Sequence, residues 1–361
     1  MRSFRVVLAT GLALAALCSL TTLVAGATTT QRVQPLAARI THKVTLTETS
    51  IAAPALWTTE VPNRSASFNA VLAWTGTDAA HHLNTLLSTD GVSYSNKRTL
   101  GDTAISRPAV SDIAGPTGIP GFILLAWTGT DVAHHLNVLF DVYGHPRKLT
   151  LSDTSFTGPA LVVDQSMSFT QVYLAWTGTD ANHSLNVRRL DILRDSSGNI
   201  FGLGPGTKTT LSPSFRSDDG PGLASPEFAS SPRLLITWTV PNNRNIALAN
   251  ATNPSQPQPV FVSAQTAVGR PGLLALVSHT GSGDQFTYVW GWAGTDPDHS
   301  LNLMKSSSLT SWPGPVSTFA ETSADGPALG IGAEVTAGQI LMAWTGTDAA
   351  HHLNVAAISG L

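Results

Sequence analysis

Short apolar segments recur along this chain, and Gly, Pro, Asn, Asp and Ser separate them. One stretch shows the pattern clearly, with strand-like runs at 108–110, 122–128, 136–140 and 148–151. Short runs that are rich in branched and aromatic side chains and bounded by turn formers are typical of strands. The pattern therefore predicts an all-β protein whose structural unit is four strands.

The four-strand unit recurs six times. A tryptophan stands near the end of the second strand of every copy, at intervals of 49–62 residues, and a period of this size indicates a repeat architecture. A proline followed by Ala or Gly opens each copy, which suits the crowded innermost strand of a propeller blade. We therefore expect a six-bladed β-propeller of four-stranded blades. Its tryptophans, in chain order, are Trp74, Trp127, Trp176, Trp238, Trp292 and Trp344.

The last copy stops after its third strand, whereas segment 42–46 (HKVTL) resembles the fourth strands at 97–100 (KRTL) and 148–151 (KLTL). We expect this N-terminal strand to complete the last blade and close the ring, which would remove exposed strand edges. The fourth copy departs from the others, since it reads ITWTVPNNRN at 236–245. Sequence drift and functional asymmetry would both explain that departure.

The first residues predict a secretory signal. Arg2 and Arg5 precede an apolar run over 6–24, and small residues at 25–27 then meet a polar segment. We therefore expect a signal peptide at 1–27, a polar linker at 28–39, the propeller at 40–361 and a secreted product. An uncleaved membrane anchor is the alternative, because the run approaches spanning length. The one cysteine, Cys18, lies inside the predicted signal, so no disulfide or cysteine metal site is expected after it.

The charge balance narrows the possible partners. Charged residues make up 12% of the chain and the net charge is −3. This composition lacks the basic surface that nucleic acids or acidic lipids require. We therefore expect neither nucleic-acid binding nor membrane contact beyond the signal.

A polar pattern follows the tryptophan in five copies: Asp four residues later, His seven later and Asn ten later. These positions fall in the hairpin between the second and third strands. There we expect the glycine two residues after the tryptophan to supply unusual backbone angles, and the Asp to accept backbone N–H groups and orient the His. The asparagines are Asn84, Asn137, Asn186, Asn302 and Asn354.

Two interpretations of this pattern remain open. WD-repeat blades hold themselves together with a comparable Asp-His-Ser-Trp network, and five identical copies are what a shared packing need predicts. Alternatively, each set forms a carbohydrate pocket in which a sugar stacks on the indole and polar groups bind its hydroxyls. The candidate ligand-binding residues are then Trp74, Asp78, His81, Trp127, Asp131, His134, Trp176, Asp180, His183, Trp292, Asp296, His299, Trp344, Asp348 and His351.

Metal binding by the histidine pairs at 81–82, 134–135 and 351–352 is a weaker third interpretation. Adjacent residues of a strand or turn point apart, and His183 and His299 are followed by serine. We therefore predict no metal and no cofactor.

Segment 88–94 (STDGVSY) looks like a variant Asp-box, the Ser-x-Asp-x-Gly-x-Thr-Trp turn of sialidase-like propellers. In repeat length and strand plan, the chain after the signal resembles six-bladed bacterial sialidase-like and lectin propellers. The resemblance to sialidases implies three arginines that clamp a carboxylate, a tyrosine nucleophile paired with glutamate, and an aspartate acid/base. Arg107 and Arg270 are candidates for the first arginine, but no Glu–Tyr pairing is visible.

Equivalent acids in most copies fit a scaffold or repeated binding better than one catalytic centre. The expected function is thus a secreted, non-catalytic, lectin-like propeller whose partners are glycans and which has no catalytic residues. The alternatives are a sialidase-like glycoside hydrolase and a structural or protein-binding scaffold. Arg107 and Arg270 meeting in one pocket with a Tyr–Glu pair would favour the enzyme.

Overall fold

The computed structural model describes residues 38–59, 68–114, 121–165, 170–226, 229–332 and 339–361. They belong to one compact unit, Leu36–Leu361. The predicted signal peptide and most of the predicted linker lie outside the described residues. Within the described ranges the secondary structure is entirely β, and no helix is long and apolar enough to span a membrane.

The strands have the following bounds, in chain order: β1 (Arg39–Thr49), β2 (Ala55–Thr58), β3 (Ala70–Thr75), β4 (His82–Ser88), β5 (Tyr94–Thr103), β6 (Ala109–Ile113), β7 (Phe122–Thr128), β8 (His135–Phe140), β9 (Arg147–Thr154), β10 (Ala160–Gln165), β11 (Thr170–Thr177), β12 (Leu185–Arg194), β13 (Ile200–Thr210), β14 (Gly222–Ala224), β15 (Leu235–Thr239), β16 (Asn245–Asn250), β17 (Gln258–Thr280), β18 (Gly283–Gly294), β19 (Ser300–Ser306), β20 (Ser317–Thr322), β21 (Ala328–Ile331), β22 (Ile340–Thr345) and β23 (His352–Ser359).

Consecutive strands pair antiparallel into four-stranded sheets. The first sheet is β2–β5, the second β6–β9 and the third β10–β13, while the terminal sheet has the order β1-β23-β22-β21. The four runs predicted for the second copy fall on β6, β7, β8 and β9. This four-stranded, all-β plan is consistent with a propeller.

The fourth and fifth copies form one seven-stranded sheet, β14–β20, where separate four-stranded sheets were expected. The cause is β17, whose first half pairs with β16 and whose second half pairs with β18. In the third sheet, β12 and β13 continue outward as a long hairpin, paired as far as Arg194 and Ile200.

The N-terminal strand β1 lies beside the C-terminal strand β23. Val44 stands opposite Val355, and Thr45 stands opposite Asn354. The segment HKVTL is thus hydrogen-bonded along the third strand of the last copy, in the position that its similarity to fourth strands predicts.

The core lies between the faces of neighbouring sheets. Val71 of the first sheet and Leu125 of the second share one apolar cluster, and Leu124 of the second and Leu174 of the third share another. Because both faces of a middle strand are covered, strands such as β3 and β7 are apolar almost throughout. This packing fixes the hairpins that carry the repeated polar residues.

Candidate functional site: repeated hairpins, a central cavity and a groove

The aspartate of the repeated pattern caps its own hairpin. Asp131 accepts the backbone N–H of Ala133 at 3.2 Å and that of His135 at 3.1 Å. Burial opposes ionisation, but the hydrogen bonds from His135 and Ala133 outweigh it and lower the pKa of Asp131. The same backbone contacts occur at Asp78, Asp180, Asp296 and Asp348.

The histidine that pairs with this aspartate is not the predicted one. His135 places Nδ1 2.7 Å from Oδ1 of Asp131, and His82 and His352 make the same contact in their copies. In the other two copies a serine hydroxyl donates to the aspartate from this position, at Ser184 and Ser300. The expectation that the aspartate orients the histidine three residues after it, such as His134, is therefore wrong.

The predicted histidine instead forms the turn. His134 has φ 56°, in the left-handed region, and its equivalents have φ between 52° and 59°. Its carbonyl accepts the N–H of Ser155, 3.1 Å away, at the start of the connection to the next sheet. The carbonyl groups of His81, His183, His299 and His351 accept equivalent backbone hydrogen bonds. These histidines therefore tie each hairpin to the connection that follows its sheet.

The glycine two residues after the tryptophan is required for close approach, which corrects the expectation of unusual backbone angles. The φ angle of Gly129 is not positive. A Cβ at this position would lie 2.7 Å from Oδ2 of Asp131 and 3.0 Å from Nδ2 of Asn137. The asparagine is buried, donates to the carbonyl of His135 at 2.9 Å and accepts the hydroxyl of Thr150 at 2.8 Å.

The tryptophans present no face to a sugar. In the five copies that carry the polar pattern the tryptophans are 0–1% exposed, so the predicted stacking surface is wrong. In the second copy the ammonium of Lys148 lies 5.1 Å from the ring centroid of Trp127 and also pairs with Asp102 of the preceding sheet at 2.5 Å. Equivalent lysines cover three other indoles: Lys97 on Trp74, Lys208 on Trp176 and Lys43 on Trp344.

The repeated residues thus bind one another and leave few groups for a ligand. Among the described residues no cluster of His, Cys, Asp and Glu could hold a metal ion. Two other places, a cavity among the connections and a groove beside the third sheet, bring unrelated polar side chains together.

A central cavity of about 310 Å³ lies where the connections lead into the first strands. It contains both predicted arginines, Arg107 and Arg270, together with Asp219, Asp325 and Arg244. No tyrosine or glutamate is among its described lining residues. The arginines therefore meet in one pocket, without the Tyr–Glu pair that would favour a sialidase.

The charged groups of this cavity are largely engaged with the protein. Arg107 donates to the carbonyl of Gly326 at 2.8 Å and Arg270 donates to that of Pro159 at 2.6 Å. Burial lowers the pKa of both guanidinium groups, and the charge of Arg107 lowers that of Arg270 further. Asp325 accepts the N–H of Arg270 at 2.9 Å. These contacts tie together the starts of separate first strands.

The fourth copy contributes a cavity residue that sequence reasoning missed. Arg244 occupies the left-handed turn position, with φ 60°, and its carbonyl accepts the N–H of Ala267 at 3.0 Å, as the histidines do elsewhere. Its guanidinium forms an ion pair of 2.9 Å with Asp219. Burial raises the pKa of Asp219, and the charges of Asp325 and Asp218 add to that effect against the opposing charge of Arg244.

The groove, of about 440 Å³, lies beside the third sheet and was also missed. Tyr173, Arg189 and Thr207 stand opposite one another on β11, β12 and β13 and form one row of its floor. The remaining lining comes from Gln171, Val187, Thr209, Pro232, Thr252, Asn253, Pro254 and Ser255. Segment 252–255, after β16, brings the fourth copy against the third.

No family model and no curated protein matches this sequence. Solved structures share its fold. The α-L-arabinanase of Penicillium chrysogenum, solved with arabinobiose, is 12% identical, covers 89% of this chain and 98% of its own, and has a TM-score of 0.54. The Aleuria aurantia lectin, described as a six-bladed β-propeller with a novel fucose recognition mode, is 10% identical over 84% of this chain and 90% of its own, with a TM-score of 0.50.

A third similar structure is the sialidase of Trypanosoma rangeli in complex with the inhibitor DANA. It is 11% identical, covers 90% of this chain and has a TM-score of 0.50. This chain spans only 59% of that sialidase. At these identities the similarity concerns the fold: the chain resembles the β-propellers of lectins and glycoside hydrolases.

Proposed function

We propose that this protein is a non-catalytic, carbohydrate-binding β-propeller whose sugar site is the groove beside the third sheet. The main supporting observation is that several polar side chains of the groove have no partner in the described part of the chain. Arg189, Thr207 and Thr209 make no side-chain hydrogen bond or ion pair within the described part of the chain, whereas the repeated hairpins and the central cavity satisfy most of theirs internally. A sugar offers hydroxyls that such groups can bind.

The groove also has the size and composition of a saccharide site. Its volume of about 440 Å³ falls in the range of small-ligand pockets. The prolines Pro232 and Pro254 supply apolar surface, whereas Tyr173 lines the groove with only 5% of its surface exposed. Gln171 supplies an amide whose Nε2 is free to donate. The similar Aleuria aurantia lectin is described as having a novel fucose recognition mode, and the similar arabinanase was solved with arabinobiose.

The propeller is proposed to have six blades and a ring closed by β1. In support, the first strands contact one another in sequence, β2 with β6, β6 with β10, β10 with β14, β14 with β17, β17 with β21 and β21 with β2. Lys97 of β5 also pairs with Glu48 of β1, as Lys148 of β9 pairs with Asp102 of β5. The turn at 88–94 is proposed to be an Asp-box, since Asp90 accepts the N–H groups of Val92 and Ser93.

The function is tested with a glycan array of the purified chain, repeated with Thr209→Trp. The indole would fill the groove from a strand that tolerates aromatic residues, so we expect the array signal to be lost while the melting temperature is kept. Ser196→Trp, at the exposed tip of the β12–β13 hairpin, is the matched control and should bind like the parent. Binding by Thr209→Trp at parental strength would exclude the groove.

A glycoside hydrolase acting in the central cavity is the second candidate. The observation that favours it is the presence of two carboxylates, Asp219 and Asp325, because such enzymes use one acid kept protonated and one ionised. The raised pKa of Asp219 would suit the acid. The binding proposal predicts no turnover of aryl glycosides, whereas turnover that vanishes in Asp219→Asn would establish the enzyme.

Secretion is proposed as well, on the arrangement of Arg2, Arg5 and the apolar run over 6–24. Mass spectrometry of the protein recovered from the culture medium tests this proposal. We expect the mature chain to begin at residue 28.

A further inference from the structure

The floor of the groove breaks the repeat at two positions. Tyr173 precedes its tryptophan by three residues and Arg189 follows it by thirteen. The first of these positions is Val or Leu in every other copy, and no other copy has polar residues at both. The equivalent pairs are Val71 and Leu87, Leu124 and Phe140, Leu235 and Ala251, Val289 and Lys305, and Leu341 and Ala357.

In most other copies these positions fill the space between neighbouring sheets with apolar side chains, although Lys305 of the fifth copy is exposed. Phe140 stacks on Phe122 with ring centroids 4.8 Å apart, and Leu87 packs in the cluster shared with the second sheet. Tyr173 does the same beside the third sheet, since it is 5% exposed and packs in the apolar cluster shared with the fourth sheet. Arg189 is exposed and lines the groove, so a shared packing need does not explain Arg189.

The guanidinium of Arg189 is the one charged group among the described lining residues, and it has no acidic partner there. Its neighbour Arg188 provides the contrast. Arg188 points to the opposite face, where it binds Asp153 at 2.7 Å and the carbonyl of Pro205 at 2.6 Å. The third sheet thus engages Arg188 in an ion pair and a hydrogen bond, and it leaves Arg189 facing the groove.

The backbone next to Arg189 is irregular. The register between β12 and β13 shifts after Arg189, and Gly206 on the opposing strand has φ 56°. A Cβ at Gly206 would lie 1.9 Å from the carbonyl oxygen of Arg189. Bulges of this kind re-aim side chains next to functional sites.

We propose that the groove recognises a saccharide that carries a carboxylate, a uronate, with Arg189 as the residue that selects the acid. This inference rests on the proposed carbohydrate binding and adds the ligand class. A guanidinium matches a carboxylate with two parallel N–H···O bonds. The hydroxyls of Thr207 and Ser255 and the free amide N–H of Gln171 then bind the sugar hydroxyls. None of the described lining residues is an Asp or Glu that would compete for Arg189.

The test compares binding of glucuronate and glucose, and of galacturonate and galactose, by calorimetry on the purified chain. We expect each uronate to bind at least about tenfold more tightly than its neutral partner, and the preference to shrink as salt is added. In Arg189→Gln the preference should fall to about one, while the neutral sugars bind as before. Arg194→Gln is the matched control, because Arg194 ends the same strand outside the groove and donates to Gly198.

Equal affinity of the parent for acid and neutral sugar, or a preference that survives in Arg189→Gln, would overturn the uronate assignment and leave the binding function standing. Failure of every sugar to bind the parent would overturn the function itself. A melting temperature of Arg189→Gln within a degree or two of the parent shows that a lost preference is not a folding defect. Thr209→Trp should abolish binding of both members of each pair.

Discussion

The carboxylate of Asp131 and the imidazole of His135 face each other across the hairpin after Trp127, with Oδ1 and Nδ1 2.7 Å apart. The aspartate also holds two backbone N–H groups of the same hairpin. The aspartate of the repeated pattern is thus used to shape the turn. The sugar site is proposed elsewhere, where the third copy departs from the repeat at Arg189.

Replacing Asp131 should therefore destabilise the protein. Asp131→Ala leaves the N–H groups of Ala133 and His135 without their acceptor, and an unsatisfied group costs about 1–3 kcal/mol when buried. Because this hairpin is exposed, water offsets part of the loss. We therefore expect the free energy of unfolding, measured in urea, to fall by about 1 kcal/mol. Val132→Ala, in the same hairpin, is the control, since its side chain is fully exposed. Equal stability of the two variants would contradict the capping role.

The conformation of His134 leads to a second prediction. At φ 56° a β-branched side chain is strained, whereas Asn enters the left-handed region readily. We expect His134→Asn to unfold like the parent and His134→Val to lose roughly 1–2 kcal/mol. If both variants lost the same stability, the imidazole itself and not the turn would be responsible.

Much of the fold was predictable because it depends on local pattern. The run at 122–128 matches β7, and the similarity of HKVTL to fourth strands points to the place of β1 beside β23. These inferences need only alternation, turn formers and repetition. The joining of β16 and β18 through β17 was not predictable, because nothing in the residue types marks where one extended segment changes partners.

The candidate sites were harder to predict because they depend on geometry across the sequence. His135 and not His134 contacts Asp131 because His134 has a positive φ. The amino-acid sequence does not reveal that backbone angle. The covering of Trp127 by Lys148 depends on a different strand. The groove combines Tyr173 with residues some eighty positions later, such as Asn253. Tyr173 and Arg189 were nevertheless visible in the sequence, because most other copies have apolar residues at both positions.

Glycine at the second position after the tryptophan gives a third prediction. In Gly129→Ala the new methyl group would meet Asp131 and Asn137 at 2.7 and 3.0 Å, so the capped hairpin must shift. We expect a loss of about 1–3 kcal/mol, the usual cost of overpacking. Gly101→Ala is the matched control, because a Cβ there meets nothing within 4 Å. A neutral Gly129→Ala would show that the aspartate and asparagine move aside freely.

Acid should weaken the protein through the hairpin carboxylates. The pKa of Asp131 is lowered in the fold, and hydrogen bonds from Ser93 and Val92 overcome partial burial to lower that of Asp90 to about 2. A lowered pKa stabilises the fold above the unfolded value near 4 and loses that stability as the pH falls towards the folded value. Asp164 and Asp219, whose pKa values burial raises, act in the opposite direction.

We therefore expect the melting temperature to fall between about pH 4 and pH 2. The difference in melting temperature between the parent and Asp131→Asn should become smaller over the same pH interval, because the variant has no carboxylate to protonate at this site. A difference in melting temperature that stayed constant down to pH 2 would show that the charge of Asp131 contributes nothing to stability.

The last prediction concerns ring closure through β1 and β23. Arg39 stands opposite Ser359 at the end of this pairing, and neither residue is fully buried, so both can be replaced by cysteine with little loss of packing. Opposed residues on antiparallel strands lie within disulfide reach, and the only native cysteine is Cys18 in the predicted signal. In the mature chain, Arg39→Cys with Ser359→Cys should therefore form one intramolecular disulfide on mild oxidation. Because that bond constrains a very long loop in the unfolded state, we expect roughly 2–4 kcal/mol of stabilisation, lost again on reduction. Each single variant serves as a control and should melt like the parent with or without reductant. Cross-links that form only between molecules would mean that β1 does not stay beside β23 in solution, and the closed ring would have to be abandoned.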